Sequence, residues 1–205
     1  MRHNVAVHAK VIVLAGPSGS GKSRLCRRLG LPTVNLDDFY KDGHDPTIPR
    51  VTLPGGDEIP DWDHPGSWLC EEAADTLELI CREGAAEVPV YEIAQDGRTG
   101  HRKVTVGDAA YFVAEGIFAQ EVVALCRERG ILADAICVRP HRMVTVWRRL
   151  TRDLGESRKP PLTLLRRGWM LMRLEPQVVA HAEALGCTPM TPDQAYHRIT
   201  RLVAD

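Results

Sequence analysis

"LAGPSGSGKSRL", residues 14–25, places Gly16, Gly21, Lys22 and Ser23 on the spacing G-x-x-x-x-G-K-[ST]. Before it, "KVIVLAG" (10–16) is a short β-branched apolar run, the pattern of a buried parallel strand. After it, "KSRLCRRLG" (22–30) sets Leu25, Cys26 and Leu29 at helical spacing and stops at Gly30. Strand, glycine-rich turn and helix together make the spacing specific. Glycines let backbone N–H groups wrap a phosphate, and the helix N-terminus adds a favourable dipole. Gly16, Ser18, Gly19, Ser20, Gly21, Lys22 and Ser23 are therefore expected to bind ATP. Lys22 would reach the β- and γ-phosphates, and the Ser23 hydroxyl would hold Mg²⁺. The loop alone does not say what the terminal phosphate is used for.

Downstream, strands and helices alternate. "PTVNLDD" (32–38) reads as a second strand finishing in two carboxylates, and residues 41–65, rich in Gly, Pro and Asp, read as irregular. A helix is expected over 67–84, capped by Ser67 and stopped by Gly84. "VPVYEI" and "HRKVTV" flank "AQDGRTG" as a hairpin turning at Asp96-Gly97. "AAYFVAEG" (109–116) is a buried strand ending in Glu115, with a helix near 118–129 and a fourth strand at 133–140. Helices are expected over 141–155, from about 162 to 185, and after Pro192. The fold class is α/β: a P-loop-type parallel sheet with helices on both faces, a β-hairpin flap and an Arg-rich helical lid, in one domain spanning 1–205.

Hydrophobic residues are 44% and charged residues 26%, which suits a soluble globular domain with a sizeable core. The net charge of -1 conceals an asymmetry: residues 37–75 sum to -9 and residues 139–173 to +8. The basic block lacks interleaved aromatics beyond Trp147 and Trp169, so it suits a triphosphate better than nucleic acid. Trp147, Trp169, Met170 and Met172 sit at helical positions and read as packing. The six cysteines form no C-x-x-C pair and no metal-ligand spacing. No secretory signal and no membrane-crossing apolar stretch is apparent, so a reduced, cytoplasmic protein with no membrane partner is expected.

An alcohol acceptor must lose its proton as phosphate arrives, so a kinase needs a carboxylate near the γ-phosphate. Asp37, Asp38 and Glu115 stand at strand ends, where open α/β sheets build their sites. No Asn/Thr-Lys-x-Asp base-reading motif follows the fourth strand, which weakens a GTPase reading. The acidic acceptor-side segment suits hydrogen bonds to sugar hydroxyls rather than a phosphorylated acceptor.

"GPSGSGKS", "NLDDFY", "DWDHPGSW", "PVYEI" and "AEGIFA" occur in the order found in uridine–cytidine kinases and their phosphoribulokinase-like relatives. The signatures of that group run D-S-F-Y, F-D-H-P, P-x-Y-D and F-E-G, and the chain resembles it over roughly residues 10–160. The resemblance implies transfer of the ATP γ-phosphate to the 5′-hydroxyl of a nucleoside. Asp37 is then the general base, lying near the metal, and Glu115 the Mg²⁺-associated acid. Asp63 would grip the ribose hydroxyls and Tyr91 would wall the nucleoside pocket, within an acceptor segment of about 37–105. Arg149 and Arg152, in "RRLTRD", match arginines of a lid spanning about 148–162. Family members often assemble as homo-oligomers.

The chain also departs from the group. Asp96 stands where a base-reading His is usual, Arg98 fits the Arg that often follows, and His101 is close enough to substitute. Ser157 replaces an expected lid arginine, Arg158 and Lys159 are shifted, and the C-terminal third matches poorly. An Asp96 that reads the base would favour cytosine over uracil, whereas an Asp96 that only starts the turn would not. Trp62 and His64, beside Asp63, read as loop packing. A kinase for another small alcohol, pantothenate- or sugar-phosphate-like, and a non-catalytic ATP-binding module remain as alternatives.

Overall fold

Val11, Ile12, Val13 and Leu14 are wholly buried, and such a strand can only lie inside a sheet covered on both faces. The computed structural model describes residues 7–52, 55–139 and 176–204. Its elements are β1 (Lys10–Ala15), α1 (Lys22–Leu29), β2 (Thr33–Asn35), β3 (Arg50–Thr52), β4 (Glu58–Pro60), α2 (Cys70–Glu83), β5 (Ala85–Glu92), β6 (Gly97–Thr105), β7 (Tyr111–Glu115), α3 (Val123–Glu128), β8 (Leu132–Val138), α4 (176–184), β9 (Thr188–Met190) and α5 (Pro192–Ala204). The main sheet has the order β2-β7-β1-β8-β9, and every pairing is parallel. The α/β class with helices on both faces is what the structure has.

Period-two alternation divides the core. Val11, Val13 and Ala15 of β1 join Phe112, Ala114, Ala135 and Cys137 on the face covered by α2, α3 and α4. Ile12 and Leu14 join Val113, Ile136 and Val138 on the face covered by α1 and α5. Fully burying one such aliphatic side chain stabilises by about 1.5–3 kcal/mol. Leu14 pairs with Glu115 and Ala15 with Cys137, so the carboxyl ends of β1, β7 and β8 finish level. The phosphate loop leaves the middle of that edge.

Several boundaries differ from the sequence expectation. β2 ends at Asn35, and Asp37 and Asp38 lie in the following 3-10 turn, Leu36–Phe39, where the Asn35 side chain accepts the Asp37 N–H. Ser67 does not cap α2, which begins at Cys70; its hydroxyl donates to Asp61 O at 2.5 Å. The stretch expected to be irregular contains the β3–β4 ribbon, and the β5–β6 hairpin is longer than its apolar alternation suggests. Asp96 does turn the hairpin, at φ 45°, just before Gly97. β9 was not anticipated.

None of the six cysteines forms a disulfide among the described residues. Among the described residues no helix is long and apolar enough to cross a membrane. The helix expected over 141–155 and the first part of that expected from 162 lie outside the described residues. So do Trp147, Arg149, Arg152, Ser157, Arg158, Lys159, Trp169, Met170 and Met172.

Candidate active site

Gly16, Gly19 and Gly21 all have positive φ, at 131°, 78° and 99°, a conformation that an L side chain resists. At Gly16 the constraint is double, since a Cβ would stand 2.6 Å from Val138 O. α1 begins at Gly21 with no side-chain cap and no acid in its first turn, leaving its N-terminal N–H groups to an anion. Ser20 Oγ is buried and meets no partner among the described residues. Ser23, by contrast, is exposed. Lys22 is buried, with Nζ donating to Gly16 O at 2.7 Å and to Pro17 O at 3.4 Å. Burial pulls its proton affinity down, and the charges of Asp37 and Glu115 oppose that. Among the described residues these features fit a triphosphate: a cradle a methyl would fill, an orphaned hydroxyl and a cation with no direct carboxylate bond.

Asp37 is half-buried opposite this loop. Its Oδ1 accepts the Ile117 N–H at 2.8 Å, just beyond Glu115 at the end of β7. Burial pushes its carboxyl up from the ordinary range, against the Ile117 hydrogen bond and the Lys22 charge, while Asp38 pushes it further up. Lys22, Asp37 and Glu115 thus share one field. The exposed Ser23 hydroxyl, Asp37 on its turn and Glu115 at the end of β7 suit Mg²⁺, which takes one or two protein carboxylates besides phosphate oxygens. Sequence reasoning missed Gly116. A Cβ there would lie 2.9 Å from Asp37 Oδ1 and 2.9 Å from Leu36 Cβ, so the close approach that seats Asp37 needs glycine. Its only sequence signal was its place in "AEGIFA".

Tyr40, Trp62, Tyr91 and Phe118 form an aromatic wall beside Asp37. Tyr40 lies 5.8 Å from Trp62, 5.6 Å from Tyr91 and 5.9 Å from Phe118 between ring centroids. Tyr40 Oη donates to Trp62 O at 3.2 Å. Burial raises the Tyr40 phenol pKa, and the negative charges of Asp37 and Asp63 add to that, so both carboxylates act on the same phenol. Tyr91 and Asp63 therefore join one cluster with Asp37, and Trp62, read as packing, belongs to it. His64 is exposed, and its Nδ1 accepts the Gly66 N–H at 2.9 Å.

Asp96 is exposed, and its charge raises the Tyr91 phenol pKa less than burial does. Arg98 forks onto Glu72 at 2.7 and 3.1 Å and donates from Nε to Tyr40 O at 3.3 Å. His101 is exposed on β6.

No family model and no curated protein matches the chain. Among solved structures, a protein from Silicibacter sp. TM1040 provisionally described as a fructose transport system kinase is similar at a TM-score of 0.59 and 17% identity, covering 84% of this chain and 85% of that one. The YGR205w protein is similar at 0.50 and 15%, covering 90% and 86%. A possible uridine kinase from Bacillus stearothermophilus gives 0.46 and 18%, covering 74% and 82%. At such identities the first two likenesses are of fold, an α/β architecture built on a parallel sheet.

Proposed function

We propose that this chain is an ATP- and Mg²⁺-dependent small-molecule kinase that phosphorylates the 5′-hydroxyl of a nucleoside. The observation that carries the reading is Asp37: a carboxylate on the turn after β2, half-buried, oriented by the Ile117 N–H and set in the field of the phosphate-loop lysine.

ATP would lie on Gly16, Ser18, Gly19, Ser20, Gly21, Lys22 and Ser23, and Ser23, Asp37 and Glu115 would hold Mg²⁺, which neutralises phosphate charge. Lys22 stabilises negative charge on the transferring group. Asp37 Oδ1 is occupied by Ile117, so Oδ2 is the oxygen that takes the acceptor proton. Arg149 and Arg152 would close over the triphosphate and exclude water.

The aromatic wall supports a flat acceptor base stacked beside Tyr91 and Trp62, with Asp63 accepting from ribose hydroxyls. Asp96 can only accept when ionised, so a base presenting an amine is favoured there. Arg98 serves the acceptor site through its hold on Tyr40 O and Glu72.

The test is acceptor-dependent ADP release, screened over nucleosides, free sugars, sugar phosphates and pantothenate. Stimulation by nucleosides, with kcat/KM for cytidine exceeding that for uridine, is expected. Stimulation by a sugar alone would move the acceptor class. ADP release that no alcohol increases would leave an ATP-binding module.

A further inference from the structure

Asp38, next to the base, carries the same functional group and faces elsewhere. Its Oδ1 accepts the Tyr91 N–H at 3.4 Å, and its Oδ2 accepts from the Arg102 guanidinium at 3.1 Å. The Asp38 side chain is 13% exposed and that of Arg102 44%. The Tyr91 contact falls where the β5–β6 register breaks, between Val90 paired with Gly100 and Tyr91 paired with Arg98. A bulge re-aims the side chain beside it. We infer that Asp38 and Arg102 are positioning residues that pin this bulge, and with it the Tyr91 wall, to the turn that carries Asp37.

The far end of the hairpin is held separately. Asp42 accepts the Arg98 N–H at 2.7 Å, Asp96 O accepts the Gly43 N–H at 2.7 Å, and Arg98 forks onto Glu72. Those ties hold the tip and the Arg98 side of the bulge, whereas Asp38 holds its Tyr91 side. A half-exposed ion pair alone contributes little. At 3.4 Å the Tyr91 N–H contact is long, and it is the two Asp38 contacts together, converging on the bulge, that bear on where the aromatic ring stands. The hairpin is on this view a fixed wall of the acceptor site. The inference rests on the kinase reading above for its consequence and on the two hydrogen bonds for its cause.

The test uses the full chain carrying Asp38→Ala, Asp38→Asn, Arg102→Leu or Arg102→Lys, with Mg-ATP and the best acceptor from the screen. Two readouts are needed: steady-state kinetics and hydrogen exchange of the Tyr91 amide. Asp38→Ala is expected to raise the acceptor KM roughly tenfold, leaving kcat and the ATP KM within about twofold. Asp38→Asn keeps an oxygen for the Tyr91 N–H and should lie between it and wild type. Arg102→Leu should match Asp38→Asn, and Arg102→Lys should restore most of the loss. Tyr91 amide exchange should quicken in the order of the KM effects. An unchanged acceptor KM, or a fall in kcat alone, would overturn the positioning role. If Asp38→Ala does not fold, the exposed Arg102 variants decide by the same criteria. If wild type phosphorylates no alcohol, the kinase reading has failed; unaltered Tyr91 exchange in every variant would then overturn the pin, and faster exchange would uphold it.

Discussion

Asp37 and Asp38 are adjacent carboxylates that the fold sends in opposite directions. Asp37 turns to the phosphate loop and takes the Ile117 N–H, while Asp38 turns to the hairpin and takes Tyr91 and Arg102. Asp37→Asn should therefore cut kcat by about a hundredfold or more with Mg-ATP affinity nearly intact, as steady-state kinetics and nucleotide titration would show. Near-normal turnover would remove Asp37 from the chemistry. Lys22→Ala should lower kcat/KM by more than it weakens ATP binding, because the ammonium acts most on charge that develops during transfer. Gly116→Ala has the same target by another route. Its methyl would press on Asp37 Oδ1 from 2.9 Å, and a displaced base costs about a hundredfold. Here kcat should drop while the far-UV spectrum and ATP affinity stay near wild type; unchanged kcat would mean the turn yields harmlessly. The candidate base and the loop were legible in sequence, because both are marked by local residues that follow short strands. Gly116 was not, since its neighbour Asp37 is 79 positions away and meets it only through the β2–β7 pairing.

At the scale of elements, α1 is clamped from outside by α5. Arg28 lies 3.7 Å above the Tyr196 ring and bonds Asp193 at 2.7 Å, while Ala195 and Ile199 join the core face of β1 and β8 beneath. Asp193 is largely exposed, so its ion pair is worth little, and Asp193→Ala should change stability by less than about 0.5 kcal/mol. Tyr196→Ala removes both the cation–π contact and ring packing and should cost about 1–3 kcal/mol in urea unfolding. Equal costs for the two variants would contradict this division. Neither the clamp nor its partner strand could be read from sequence. β9 is three residues, Thr188–Met190, with Pro189 in the middle, too short for any alternation to register. It exists because Ile136, Cys137 and Val138 offer a parallel edge to pair with. Nor does local pattern show that β7 inserts between β2 and β1, since that order is decided by crossovers. The hairpin turn at Asp96-Gly97 was readable for the opposite reason, being a matter of two adjacent residues.

For the whole molecule, the free thiols link packing to pH. Burial pushes the thiols of Cys26, Cys81, Cys126 and Cys187 up to about 12, each from an ordinary value near 9. A raised folded pKa means that the native state holds the proton more tightly than the unfolded chain does. The associated stability is complete below about pH 9 and is lost as pH climbs from about 9 to about 12. Within that window each thiol steepens the fall by up to about 1.4 kcal/mol per pH unit. Cys126 is the cleanest probe, because it is fully buried on α3, in the core cluster that α3 shares with α2 and the sheet. Cys126→Ala will lower stability at every pH by leaving space in the core, so the slope rather than the midpoint carries the information. Urea unfolding of wild type and Cys126→Ala between pH 8 and 10.5 should give parallel curves at the low end and a shallower decline for the variant above about pH 9. Identical slopes across the range would show that the Cys126 thiol titrates in the native protein much as it does in the unfolded chain.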